Sequence, residues 1–228
     1  MRKLNNRKFL IFIIIVQFVF LASITVAGQL LTEQALVTDF SRKDLQPSFQ
    51  YLFGTDWLGR DMFVRTITGL STSIHIGLLT ASVSAVIAFI LGTASATMGK
   101  AIDSFISLVI DMVMGMPHIL LLILISFAVG RGFNGVVIAV SLTHWVSLAR
   151  VVRAEVLQLK ESQYIKISEK LGISKFKIVL THMIPHLLPQ FIVGLILLFP
   201  HAILHESSIT FLAGPYPLFF TMTPILNV

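Results

Sequence analysis

The chain has 228 residues, 55% of them hydrophobic and only 12% charged, with a mean hydropathy of +0.88, so it lacks the charged shell that a soluble domain of this size needs and its expected solvent is the lipid bilayer. Its net charge of +6 is scattered along the flanks of apolar runs without interleaved aromatics, which argues against a nucleic-acid platform. The absence of cysteine excludes disulfides, thiol nucleophiles and Cys-based metal or iron-sulfur sites.

In chain order, Met1 to Lys8 carries four basic residues and leads into the uncharged run Phe9 to Leu31. This start can be read as a secretory signal with a site near Ala27, but 23 apolar residues are enough to cross a hydrocarbon core of about 30 Å, and a retained first span over 1–31 is expected. Residues 32–70 form the longest connection, with Pro47, Gly54, Gly59 and mixed charges, and predict a turn followed by an amphipathic helix from Arg60. Further apolar runs follow over Gly69 to Gly99, Met112 to Gly130, Gly132 to Ala149 and Leu187 to Leu204. A backbone in lipid must satisfy its own hydrogen bonds, and these runs lack the alternation of barrel strands, so they are expected to be helices. The expected fold is an all-α membrane protein, a polytopic bundle of five transmembrane helices. With the N-terminus cytoplasmic, twelve of the seventeen Lys and Arg fall inside, in keeping with the positive-inside bias. Arg42, Lys43, Arg60, Arg65 and Arg131 lie outside.

The only sizeable polar insertion between spans on the inner side is Arg153 to Lys177. Within it Tyr164, Ile167, Ser168 and Leu171 recur at helical spacing, Gly172 offers a stop and Ser174 a new N-cap, predicting two short helices. The residues alone leave two readings open: a contact for a partner protein, or a helix in the headgroups, which Lys160, Lys166, Lys170, Lys175 and Lys177 would suit.

Three stretches carry a family resemblance. Tyr164, Ser168, Leu171 and Gly172, followed by Ile184-Pro185 and Pro189, resemble the cytoplasmic "EAA" loop (153–180) of ABC importer permeases. Phe53-Gly54-Thr55-Asp56-Trp57-Leu58-Gly59-Arg60-Asp61 with Arg65 is similar to the outer segment of C-type permeases in the dipeptide, oligopeptide and nickel importer family, and is the more specific match. Glu206-Ser-Ser-Ile-Thr-Phe-Leu212 resembles that family's segment after the fifth span, so the permease core is expected over 71–212.

The resemblance implies a multi-pass cell-membrane permease subunit that passes peptides or a related small solute such as nickel. It implies a second homologous permease, two cytoplasmic ABC ATPase subunits and an extracytoplasmic solute-binding protein as partners, with membrane lipid around the chain. ATP and Mg would be used by the ATPases, with no cofactor on this chain. Tyr164, Ile165, Ile167, Ser168, Leu171, Gly172 and Ile173 would form the element seated in an ATPase groove, and Gly172→Asp is expected to uncouple transport. Two departures stand out. Lys166, Ile167 and Ser168 replace the family's usual glutamate and two small residues, so the ion pair of that glutamate is not expected. After Leu212 the family continues into a sixth span, whereas residues 213–228 form an atypical tail whose last apolar run, Leu218 to Val228, would rise only about 17 Å as a helix. The expectation drawn is a C-terminally truncated product, and the alternative function is a non-transporting remnant that still binds partner subunits.

Other motifs have plainer readings. No G-x-x-x-x-G-K-[ST] occurs, so the chain has no phosphate-cradling loop, and Gly130-Arg-Gly-Phe-Asn-Gly135 fits G-x-G-x-x-G only as a turn between apolar helices. A polytopic membrane enzyme is the other class weighed, but no G-x-S-x-G elbow offers a nucleophile, and the chain is not expected to be an enzyme. His201 and His205 lie four apart beside Glu206, a spacing compatible with a metal, yet helix-helix packing is the simpler reading and no metal is expected. His182 and His186 are read as structural. Asp103 and Asp111 are read as capping or helix-bridging carboxylates, Pro117 as a kink within the third span, and Gly77, Gly92 and Gly99 as points of close helix approach.

Overall fold

The first helix, α1 (Asn6–Leu30), is apolar on every face and almost entirely exposed along its length, as expected of a helix whose neighbour is lipid on most sides. The computed structural model describes residues 6–130 and 132–213. The chain divides into two units, residues 1–75 with 214–228, and residues 76–213. Arg2, Lys3, Arg131 and tail residues 214–228 lie outside the described residues.

In the first unit α1 is followed by α2 (Thr32–Leu36), a 3-10 turn at Phe40–Arg42, and the start of α3 (Met62–Thr97). α1 meets α3 where Gly28 leaves no room for a Cβ beside Ser71, whose hydroxyl donates to the Thr25 carbonyl at 2.9 Å. Gln29 Nε2 and His75 Nε2 lie 3.0 Å apart one turn further on. The helix predicted from Arg60 is not a separate amphipathic element. It is the first part of α3, whose 36 residues rise about 54 Å.

The second unit holds the rest of α3, then α4 (Lys100–Met114), α5 (His118–Val129), α6 (Phe133–Lys160), α7 (Gln163–Lys170), α8 (Lys175–Ile178), a π-helical turn at Val179–Met183, and α9 (Ile184–Ala213). α6 is its central helix, burying Trp145, Val146, Ala149, Val152 and Val156 against α3, α4 and α9, and Val140 in a second cluster with Ile76 of α3, Leu122 of α5 and Ala202 of α9. Gly92 is a point of close approach between α3 and α6: a Cβ there would lie 2.7 Å from the Ala149 carbonyl oxygen. Gly77 likewise faces Ile203 at close range, whereas nothing approaches Gly99, which instead turns the chain with φ +101°. Among the described residues no strand forms, only an isolated antiparallel bridge between Thr55 and Asp61.

Among the described residues four helices are long and apolar enough to cross a membrane, or five spans if one bent pair counts as a single span. The first, second, fourth and fifth expected spans lie in α1, α3, α6 and α9. The third, Met112 to Gly130, is not one helix: α4 and α5 meet at 98° across Gly115–Pro117. Pro117 precedes α5 with an extended ψ of 116°, and its ring can neither donate an amide hydrogen nor continue the helix before it. The break is therefore a corner. α5 has twelve residues and rises only about 18 Å, short of a crossing by itself.

Two short helices were expected around Gly172. The first forms as α7, but the second runs on through the π-helical turn into α9, giving one apolar helix from Lys175 to Leu212. The widened turn sits just before Pro185, whose ring excludes the carbonyl four residues back, so the helix loosens there without ending.

Candidate functional site

Three groups of residues carry the chemistry. In the first unit, the sequence Gly54-Thr55-Asp56-Trp57-Leu58-Gly59-Arg60-Asp61 folds on itself around one carboxylate. Asp56 Oδ1 accepts from the backbone amides of Leu58 and Arg60, both at 2.9 Å, and Oδ2 accepts from Arg60 Nε at 2.8 Å and from the Arg65 guanidinium. All three side chains are buried. Thr55 donates to the Arg42 carbonyl and accepts from the Leu45 amide, tying the earlier half of the connection to the later half. Gly54 and Gly59 take φ of +71° and +76° with carbonyls of Leu45 and Asp39 against them, so a side chain fits neither position. Asp61 caps α3, accepting from the Phe63 amide at 2.8 Å and the Val64 amide at 3.3 Å. Every residue singled out in this motif thus has a structural task. Burial pushes the Asp56 carboxyl up, but the Arg60 amide and guanidinium and the Leu58 amide outweigh it, and the group ionises below its ordinary range.

At one end of the second unit Asp103 of α4 accepts from Arg153 Nε and an Arg153 terminal nitrogen at 2.6 and 2.7 Å, and from Ser95 Oγ at 2.5 Å. Lys160 Nζ donates to the Ala96 carbonyl at 2.9 Å. Asp111 pairs with Arg150 at an exposed position. Both carboxylates bridge helices.

Next to this anchor lies α7. Ile165 is 0% exposed and joins the main core, Ser168 is buried with its hydroxyl on the Tyr164 carbonyl, and Ile173 packs against the same core. Tyr164, Ile167 and Leu171 point the other way, Leu171 at 75% exposure, and Phe176 beyond the turn reaches 74%. Six of the seven residues expected as one contact therefore separate into an inward anchor of Ile165, Ser168 and Ile173 and an outward apolar ridge of Tyr164, Ile167 and Leu171, with Gly172 in the turn. Phe176 borders a cleft with Phe89, Ile90 and Thr93 of α3; the i, i+3, i+4 pattern of α7 ends before it, so helical spacing did not point to it. The turn between them is set as the sequence implies. Gly172 at φ +79° closes the helix with its amide on Glu169, Ile173 donates to the Ser168 carbonyl, and Ser174 Oγ accepts from the Lys177 amide.

The third group was only half legible. His205 of α9 meets His118 at the start of α5 and His144 of α6, with ring centroids 4.6 to 5.0 Å apart. One ring nitrogen from each lies within 4.8 Å of the others. They border a cavity of about 480 Å³ that His201, Thr143 and Gln190 also line. His201 shares the cavity but not the three-nitrogen group. Glu206, next to His205 in sequence, is buried and accepts from Ser207 and Thr210.

The helices, their corner and the polar loop anchored in the core define a multi-pass, all-helical membrane protein. The family model described as binding-protein-dependent transport system inner membrane component matches residues 84–227, and the chain belongs to that family. It is similar to the dipeptide transport system permease protein DppC of Bacillus subtilis, 34% identical over 85% of this chain and 61% of the relative. The oligopeptide transport system permease protein OppC of the same organism is 34% identical over 79% of this chain and 59% of the relative. A dipeptide transport system permease protein DppC of Lactococcus lactis is 31% identical over 71% of this chain and 47% of the relative. The chain thus spans about three fifths of the length of the Bacillus relatives.

Proposed function

We propose that the chain is a permease subunit of an ATP-driven ABC importer for peptides, with nickel or another small solute as the alternative cargo. The observation that carries this reading is the two-sided helix α7. Its inner stripe is fixed in the core and its outer stripe, Tyr164, Ile167 and Leu171, is an apolar ridge on the polar loop. An anchored ridge transmits a push from a partner, whereas a helix without an inner anchor would yield. The names of the relatives favour peptide as cargo.

In this reading two cytoplasmic ATPase subunits bind ATP and Mg, one seating the ridge in a groove, while a second permease completes the pathway and an extracytoplasmic binding protein delivers solute. Hydrolysis belongs to the ATPases, and this chain is not an enzyme. The N-terminus lies in the cytoplasm, as the distribution of basic residues suggests.

Co-purification of the tagged chain with its ATPases and partner permease tests the reading. Leu171→Glu puts a carboxylate into the apolar contact at a cost of about 2–3 kcal/mol, so ATPase retention should fall by roughly thirtyfold to a hundredfold. Glu169→Ala, on an exposed residue of the same helix outside the ridge, should leave retention unchanged. Full retention by Leu171→Glu would sink the proposal.

A further inference from the structure

Four of the seven histidines line one cavity in the second unit, and three of them converge. They come from α5, α6 and α9, at positions far apart in the chain, so the grouping is a product of the fold. His144 is the most telling. Its Nδ1 lies 3.0 Å from the Val140 carbonyl, which can only accept, and 3.2 Å from the Thr143 hydroxyl, whose own hydrogen is directed to the Ala139 and Val140 carbonyls; the neutral ring that satisfies both carries its hydrogen on Nδ1 and keeps the lone pair on Nε2. That Nε2 is buried and has no hydrogen-bond partner among the described residues. A buried imidazole nitrogen without a partner is costly unless something occupies it. A backbone carbonyl fixing Nδ1–H is also the usual support for a metal-binding imidazole.

We propose that His118, His144 and His205 form a site for a late first-row divalent cation, in the class of Ni2+, Co2+, Cu2+ and Zn2+. Imidazole nitrogens favour these ions over Mg2+ and Ca2+, which require oxygen ligands. Metal–nitrogen bonds of about 2.0–2.1 Å put ligand atoms roughly 3.4 Å apart in a tetrahedral shell, so the group, within 4.8 Å, needs only small rotamer adjustments to close on an ion. Three imidazoles leave one position of such a shell for water or a donor atom of a passing solute. The site does not depend on whether peptide is the transported cargo.

The test uses the full chain in lipid nanodiscs titrated with Co2+ in excess Mg2+. Visible d–d absorption reports low-coordinate cobalt, and metal analysis after dialysis gives stoichiometry. One Co2+ per chain is expected, displaced by Zn2+. His144→Ala and His205→Asn should each weaken binding at least about tenfold, whereas His182→Ala combined with His186→Ala should not. His118→Asn, at a half-exposed position, decides the matter if His144→Ala lowers the yield of folded chain. Absence of saturable Co2+ binding, or binding that survives the cluster variants and disappears with His182 and His186, would overturn the site.

Discussion

Replacing Asp56 with alanine should open the connection between α2 and α3 to trypsin at Arg42 and Lys43 about a hundredfold faster than in the unaltered chain. The carboxylate holds two buried guanidinium groups and two backbone amides at once. Removing one member of such a buried ionic group costs about 3 kcal/mol or more, and where reclosing outpaces cleavage that energy appears directly in the cleavage rate. Glu33→Ala, which removes an exposed carboxylate of α2 away from the cleavage bonds, is the control and should leave the rate unchanged. The same carboxylate sets a pH limit. Because its folded pKa is depressed, its contribution is complete above the ordinary carboxylate range and is lost only as pH falls through the lower folded value. Resistance to an acid-active protease should therefore hold at pH 5 and fail in stronger acid. Cleavage of Asp56→Ala no faster than of Glu33→Ala would show that the knot is held elsewhere.

The second large effect is expected at Gly92. A leucine there starts with its Cβ 2.7 Å from the Ala149 carbonyl oxygen and 2.9 Å from Val152 Cβ, and the first of these is backbone of the central helix and cannot rotate away. α3 and α6 would have to separate, at a cost of about 3 kcal/mol. Thermal unfolding in detergent should show a clear drop in Tm for Gly92→Leu, while Ile90→Leu, on the exposed side of the same helix, should change stability by less than about 0.5 kcal/mol. Equal melting of the two variants would mean that the helices are not closely joined at this point.

Hydropathy revealed four of the helices because burial in lipid needs only composition and length, both of which lie within one stretch of chain. It could not reveal the corner at Gly115–Pro117, since an apolar run has no direction, and a proline after a glycine reads equally as a kink or as a 98° turn. The turn at Gly172 and Ser174 was legible because caps and left-handed positions are local. The two stripes of α7 were also present in the sequence, Ile165 with Ser168 and Tyr164 with Ile167 and Leu171. Both are apolar enough to be buried, and only the neighbouring helices decide that Ile165 is the one covered. The histidine group was hidden for another reason: His118 and His144 meet His205 only once three helices are placed side by side, and His201, the neighbour that spacing suggested, stands one turn away from the group.

The run from Lys175 to Leu212 begins beside Phe176 and ends past His205, with only a loosened turn at Val179–Met183 between the polar loop and the apolar span. From Phe176 to His205 the helical rise is about 43 Å, with Pro189 and Pro200 inside it. A tilt of about 5° about one end would carry the other through roughly 4 Å, close to the spread of the three imidazole nitrogens. Leverage of this kind would let a small push at the loop gather or scatter those nitrogens, with the π-helical turn as the compliant point that decides how much of the stroke arrives.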